Sequence, residues 1–321
     1  VKRSTKDMVG PAPEVSSVLG TGVPKINNSD MESYGFELEL SWRDRIGDFS
    51  YGVKAVVSDA QQKVTRYPNK SYSLGTWYNG RMNGDIWGYT TLGIAKSQEE
   101  MDAHLAKVNQ SRLGNQWGAG DVMYADLNGD GEISNGANTL EDHGDMKIIG
   151  NNTPRYNYGI TLDAAYKGFD FSVFFQGIGK RDYWVSGAYF WGATGGMWQS
   201  AGFTEHWDFF RGEDNPLGAN LNAYYPRPLF TSGKNMQTQS RYLQDASYLR
   251  MKNIQLGYTL PKSITSKAGM QSVRVYVSGD NLATISSMSK IFDPETIGGA
   301  WGDGKLYPLS KTISVGLNVN F

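Results

Sequence analysis

From Ile313 to Phe321 every odd position is apolar (Ile313, Val315, Leu317, Val319, Phe321), and the even positions Thr312, Ser314, Gly316, Asn318 and Asn320 are polar or small. A period of two marks a strand with one face in an apolar medium and the other in a polar one. The same alternation recurs in Tyr34–Trp42, Phe49–Val57, Tyr156–Tyr166 and Phe169–Phe175, then in Ile254–Leu260 and Val273–Val277. These are seven complete strands. Residues 1–32 carry no stable period and read as irregular.

The connections alternate in length. A short turn around Gly47, the Lys167-Gly168 pair and a helical turn over 262–269 are separated by long polar stretches of roughly 65–154, up to about 246, and again before 312. Lys167-Gly168 suits a two-residue hairpin. Transmembrane barrels have short periplasmic turns and long extracellular loops, which would place the long loops outside and the carboxy terminus at the periplasm. Aromatics sharpen this. Trp42, Phe49, Tyr166, Phe169, Tyr258 and Phe321 lie nearest the short turns, and Tyr34, Phe36, Tyr156, Tyr158, Tyr248 and Tyr307 nearest the long loops. Aromatic rings settle at headgroup depth, so two girdles fit two membrane interfaces. From Tyr156 to Tyr166, at about 3.3 Å per residue and a tilt of about 40–45°, the rise is roughly 24 Å, against an apolar band about 25 Å tall.

One strand resists. The parity of Ile254 carries Lys252 and Arg250 onto the apolar face, unless a bulge turns Leu249 and Met251 outward instead. Seven strands also cannot close, because bacterial single-chain barrels are even-numbered from eight upward and an open edge in lipid leaves backbone groups unpaired. Residues 1–321, which begin Val1-Lys2-Arg3, are therefore expected to be the C-terminal part of a large antiparallel transmembrane β-barrel, in contact with lipid and completed by an N-terminal remainder.

Composition adds exclusions. A net charge of −1 gives no basis for nucleic-acid binding, and the absence of cysteine removes thiolate metal sites and cysteine nucleophiles. No run of about 18 apolar residues exists, so no helix spans a membrane, a test that a barrel escapes. The acidic residues lack His or Ser partners at catalytic spacing, and no enzyme is expected. A soluble carbohydrate-binding β-sandwich also alternates, but gives no reason for aromatics at both ends of one face.

Three stretches carry candidate chemistry. Asp126, Asn128 and Asp130, with Gly131 and Glu132, match the first half of an EF-hand loop, in which side-chain oxygens at alternate positions surround Ca²⁺. The closing Glu is replaced by Ala137, so Asp145, or else Glu141 or Asp142, would have to complete the site. The plainer reading is a run of Asx turns. Ser97-Gln98-Glu99-Glu100 is a capping box opening a short helix, beside whose apolar face His104 packs. The loop from 185 to 246 holds Trp191, Trp198, Trp207, Tyr224 and Tyr225, which read as platforms for substrate or a lipoprotein partner, or as a core that orders the loop. Glu37, Glu39, Lys54, Asp163, Asp170, Asn253, Gln255, Arg274 and Asp280 fall on the polar face.

Several segments together resemble the SusC/RagA family of TonB-dependent transporters. They are Asp121-Val122-Met123-Tyr124-Ala125-Asp126 with Leu127 to Ile133, Pro154-Arg155-Tyr156-Asn157-Tyr158-Gly159, and Ala223-Tyr224-Tyr225-Pro226-Arg227-Pro228. Ile148-Ile149-Gly150-Asn151, Tyr166-Lys167-Gly168-Phe169-Asp170, Tyr248 to Asn253 leading to Leu256-Gly257-Tyr258, Ser278-Gly279-Asp280-Asn281-Leu282 and Asp293-Pro294-Glu295 complete the set. The resemblance implies a 22-stranded outer-membrane barrel of the Bacteroidota type, a plug domain, coupling to TonB and a SusD-like surface lipoprotein. It also implies import of oligosaccharides or, alternatively, peptides, with no cofactor for transport. Val315, Leu317, Val319 and Phe321 resemble the carboxy-terminal signal read by the barrel-assembly machinery.

Overall fold

The computed structural model describes residues 1–12, 18, 20, 23–192, 202–230, 232–298 and 305–321. In chain order the strands are β1 (Lys2–Gly10), β2 (Ile26–Ile46), β3 (Phe49–Arg66), β4 (Asp85–Tyr89), β5 (Thr91–Ile94), β6 (Val122–Tyr124) and β7 (Met146–Asn151). They continue with β8 (Arg155–Tyr166), β9 (Phe169–Lys180), β10 (Asp182–Tyr183), β11 (Gln244–Asp245), β12 (Tyr248–Thr259), β13 (Ser272–Ile285) and β14 (Thr312–Asn320). Eight of them form one sheet in the order β1-β2-β3-β8-β9-β12-β13-β14, and the ladders whose register is resolved are antiparallel. The all-β partial barrel expected from the alternation is the fold.

By its contacts the chain divides into two compact units, one of residues 35–60, 154–181 and 245–321, the other of 1–34, 61–153 and 182–244. In the first, the register sets like beside like. Val315, Val277, Leu256, Phe171, Ala164 and Tyr51 form one cross-strand row. Leu317, Val275, Tyr258, Phe169, Tyr166 and Phe49 form the next, nearer the short turns. This second row is an aromatic girdle seen across strands, with the Phe169 and Tyr258 rings 4.5 Å apart. The apolar side chains of this sheet face stay open to the surroundings, with Leu40 61%, Trp42 64%, Val315 78% and Leu317 62% exposed, as a lipid-facing wall requires. The Lys167-Gly168 turn has positive φ at both residues (44° and 91°), the two-residue hairpin geometry expected there.

The polar face is laced with pairs. Lys54 meets Glu39 at 2.8 Å, and Asn253 donates to Asp280 at 2.8 Å. Two further bridges each skip a strand. Arg43 of β2 reaches Asp163 of β8 over Gly52 of β3, and Arg274 of β13 reaches Asp170 of β9 over Gly257 of β12. A Cβ on Gly52 would stand 2.6 Å from Asp163, and one on Gly257 2.4 Å from Arg274. The bare backbone is what lets each pair close.

Two expectations change, one stretch gains detail and one open choice is decided. Residues 2–10 and 26–33 are paired strand, not irregular, which makes eight strands instead of seven. Their few apolar residues, Met8, Val9, Ile26 and Met31, fall on both parities among polar ones, so no period reveals them. The stretch 65–154 contains the small ladders β4·β7 and β5·β6, and the helix α1 (Gln98–Leu105) capped by Ser97, whose side chain accepts from Glu100 N. The β12 register shifts between Met251 and Asn253 against both neighbours. A bulge at Lys252 therefore turns Leu249 and Met251 toward the apolar face and Arg250 toward the polar one. Tyr248 follows Arg250, so it leaves the outer girdle and lies 4% exposed.

Candidate functional site

The loop aromatics belong to the second unit and form a core of their own. Phe190 and Tyr242 are fully buried, and Trp191, Phe210 and Tyr225 are 7%, 6% and 5% exposed. Their rings meet edge to face: Trp191 on Tyr242 at 4.8 Å, Phe190 on Tyr225 at 5.6 Å, Tyr224 on Tyr225 at 4.9 Å. Such pairs add about 0.5–1.5 kcal/mol each beyond their burial. The Tyr242 hydroxyl donates to the Tyr224 carbonyl at 2.8 Å, and burial pushes the Tyr225 and Tyr242 phenols well up, keeping them protonated.

This core walls a cavity of about 330 Å³ lined by, among others, Trp191, Phe203, Trp207, Phe209, Tyr225 and Phe230. Of the five proposed platform residues the structure brings Trp191, Trp207 and Tyr225 to that cavity. Trp207 is the open one, 59% exposed. Tyr224 sits in the aromatic core, its hydroxyl accepting from Gln244 at 3.0 Å, and Trp198 lies outside the described residues. His206 is held from both ring nitrogens, Nδ1 accepting from Phe203 N at 3.0 Å and Nε2 facing the Phe190 carbonyl at 3.0 Å. It is a packing residue. So is His104, bound to Gln110 at 2.9 Å.

Below the cavity lies a polar knot that the sequence reading did not isolate. Asp121, fully buried, accepts from Arg227 Nε at 2.7 Å and Nη2 at 2.6 Å, from Asn235 at 2.9 Å, and pairs with Lys234 at 2.8 Å. The Lys234 ammonium, 2% exposed, also donates to the carbonyls of Asn115 and Gln116 and stands 4.6 Å over the Trp117 ring. Burial works against the Asp121 charge, but Arg227, Lys234 and Asn235 outweigh it and hold the carboxyl below its ordinary value. Burial likewise pulls Lys234 down, against Asp121. Asp121 and Arg227 both lie in motifs singled out from sequence, but they are 106 positions apart and no periodicity links them.

The acidic loop is a chain of turns. Asp126 accepts from Gly129 N at 2.6 Å and Gly131 N at 2.9 Å, Asn128 from Asp130 N at 3.0 Å, and Asp130 from Glu132 N at 2.7 Å. Asp145 is fully buried, its two oxygens accepting from Leu127 N and Ser134 N, and the Glu132 carboxylate turns to Arg112 at 2.8 Å. Among the described residues no three His, Cys, Asp or Glu side chains are grouped to hold a metal ion. As placed, the side-chain oxygens of Asp126, Asn128, Asp130 and Asp145 accept from the loop's own backbone N–H groups.

An antiparallel wall, apolar with aromatic girdles on one face and ion-paired on the other, is a segment of an outer-membrane β-barrel. No family profile matches the chain. It is 27% identical to TonB-dependent receptor P3 of Formosa agariphila over 99% of this chain and 31% of that protein. It is 23% identical to TonB-dependent receptor SusC of Bacteroides thetaiotaomicron over 92% of this chain and 27% of that protein. The RagAB peptide transporter shares the fold, with a TM-score of 0.70 at 23% identity over 100% of this chain and 32% of that one. The chain is thus similar over nearly its whole length to TonB-dependent receptors, SusC among them, and spans about a third of the length of these relatives.

Proposed function

We propose that this chain is the C-terminal part of a TonB-dependent importer, with its long loops extracellular and its carboxy terminus at the periplasmic face. The observation that carries the reading is the continuous apolar face, edged by aromatics and backed by an ion-paired polar face, which suits a wall between lipid and a wet lumen. The whole transporter would add the other strands of a 22-stranded barrel, a plug engaged by TonB, and a SusD-like lipoprotein over the mouth. Its cargo is oligosaccharide, for which the open faces of Trp207 and Phe203 beside the loop cavity offer stacking surface. Peptide is the second reading, supported by the likeness to the RagAB peptide transporter and by the apolar character of that cavity. No cofactor enters the transport step, and relatives that are receptors and transporters support a non-enzymatic role.

The test is native mass spectrometry of the intact transporter purified with its lipoprotein, followed by uptake of the ligand found. A bound glycan supports the first cargo and a bound peptide the second. Uptake that persists without TonB would overturn both in favour of a passive channel.

A further inference from the structure

The connection after β13 does not leave the sheet. Its described part, residues 286–298, lies against the polar face at the outer end of β12. Tyr248 and Arg250, successive residues on that face, are 4% and 3% exposed, whereas Asn253 and Gln255 on the same face are only half-buried. What covers them is the returning chain. Arg250 donates to Asp293 at 2.7 Å, to Glu295 at 2.8 Å and, through Nε, to the Thr284 hydroxyl at 2.9 Å. Lys252, the bulged residue, donates to both Glu295 oxygens at 3.0 and 3.2 Å. Ser286 donates to the Ser247 carbonyl at 2.8 Å and Ser287 to Asp245 at 3.2 Å. Beneath these contacts Met288, Phe292 and Ile297 are 5%, 6% and 0% exposed. Two cations from the strand meet two anions from the returning segment, so the charges balance inside the contact.

We infer that residues 286–298 are a strap fastened across the lumen side of the barrel wall, with Arg250, Lys252, Asp293 and Glu295 as its clasp. The strap narrows the outer end of the passage and sets the largest cargo that enters. The bulge at Lys252 is what makes the clasp possible: were the strand regular through Lys252, Arg250 would face lipid and the anions would have no partner. The inference rests on the polar face being the lumen of the proposed transporter.

The test uses the full-length transporter with its lipoprotein, carrying Met288→Cys as a reporter under the strap, with and without Asp293→Asn/Glu295→Gln. With the clasp intact, a membrane-impermeant maleimide should label position 288 slowly. In the double variant labelling should be at least about 100-fold faster, the factor expected in a local opening equilibrium when a buried ion cluster loses its anions. The same variant should admit longer cargo than the parent, while its barrel still resists unfolding in unheated SDS. Equal labelling rates overturn the strap, and faster labelling with an unchanged size limit overturns its role in setting that limit. If the double variant does not assemble, Lys252→Met, which leaves Arg250 paired, should give a smaller rise in labelling, and no rise overturns the clasp. A parent that shows no TonB-dependent uptake at all would instead sink the transporter reading, and the labelling comparison would still decide the strap.

Discussion

At the scale of single residues, the buried charges of the loops do more to fix structure than to offer chemistry. Asp121 joins the Arg227 segment to the Lys234-Asn235 segment, and Asn235 in turn accepts from Val122 N at 2.9 Å. Asp121→Ala would leave Lys234 and Arg227 facing each other without a counter-charge, a loss of about 3–5 kcal/mol for a buried pair. Amide exchange at Val122 and Tyr124 should rise accordingly, and unchanged protection there would show that the aromatic core alone holds the loop. The same group predicts an acid limit. Its folded carboxyl titrates below its unfolded value of about 3.9, so its contribution is complete above that pH and fades as the pH falls through the lower folded value. Loop protection should therefore weaken below about pH 4, and Asp121→Ala should have little further to lose there. Gly257 makes a parallel case in the wall. Gly257→Leu would drive a side chain into the space of Arg274 and Asp170, overpacking that costs about 1–3 kcal/mol, and should lower the temperature at which the barrel unfolds in SDS.

At the scale of elements, legibility followed the medium. Strands β8, β9, β12 and β14 could be read because one face meets an apolar phase and the other a polar one, which forces period two. β1 and the first residues of β2, 2–10 and 26–33, are mostly polar with their few apolar residues on both parities, so the same backbone leaves no trace in the pattern. The bulge at Lys252 was visible only as a conflict of parity, because one extra residue inverts every side chain beyond it. The acidic loop shows the opposite limit: Asp126, Asn128 and Asp130 satisfy a metal-loop spacing and an Asx-turn spacing equally, since both place oxygens at alternate positions. Asp126→Ala removes the acceptor of two backbone N–H groups, at about 1–3 kcal/mol for a donor left unsatisfied. Exchange over 127–132 should therefore quicken in EDTA as well as in calcium. A loss confined to the calcium sample would show that the ion, and not the carboxylate's own turns, orders the loop.

At the scale of the whole molecule, the wall is defined by rows that cross strands, and β14 extends each row by one place. Val319 faces Val273, Leu317 faces Val275 and Val315 faces Val277, while Asn318 faces Arg274 on the polar side. Phe321 follows the last paired residue and is 82% exposed, beyond the row in which Leu317 lines up with Tyr258, Phe169, Tyr166 and Phe49 and on the short-turn side of it. In the proposed transporter an aromatic ring at an interface anchors the strand that carries it, whereas a polar-face side chain there meets water in either case. Removal of Phe321 from the full-length transporter should therefore abolish its insertion, seen as loss of the band that resists unfolding in unheated SDS and loss of the protein from outer-membrane fractions. Asn318→Ala should leave both nearly unchanged, since it deletes a small polar group from the wet face. Equal defects would mean that the two faces of β14 have been assigned the wrong way round. A mild effect of removing Phe321 beside a severe one of Leu317→Asp would keep the faces and move the anchoring role from the last residue to the apolar row behind it.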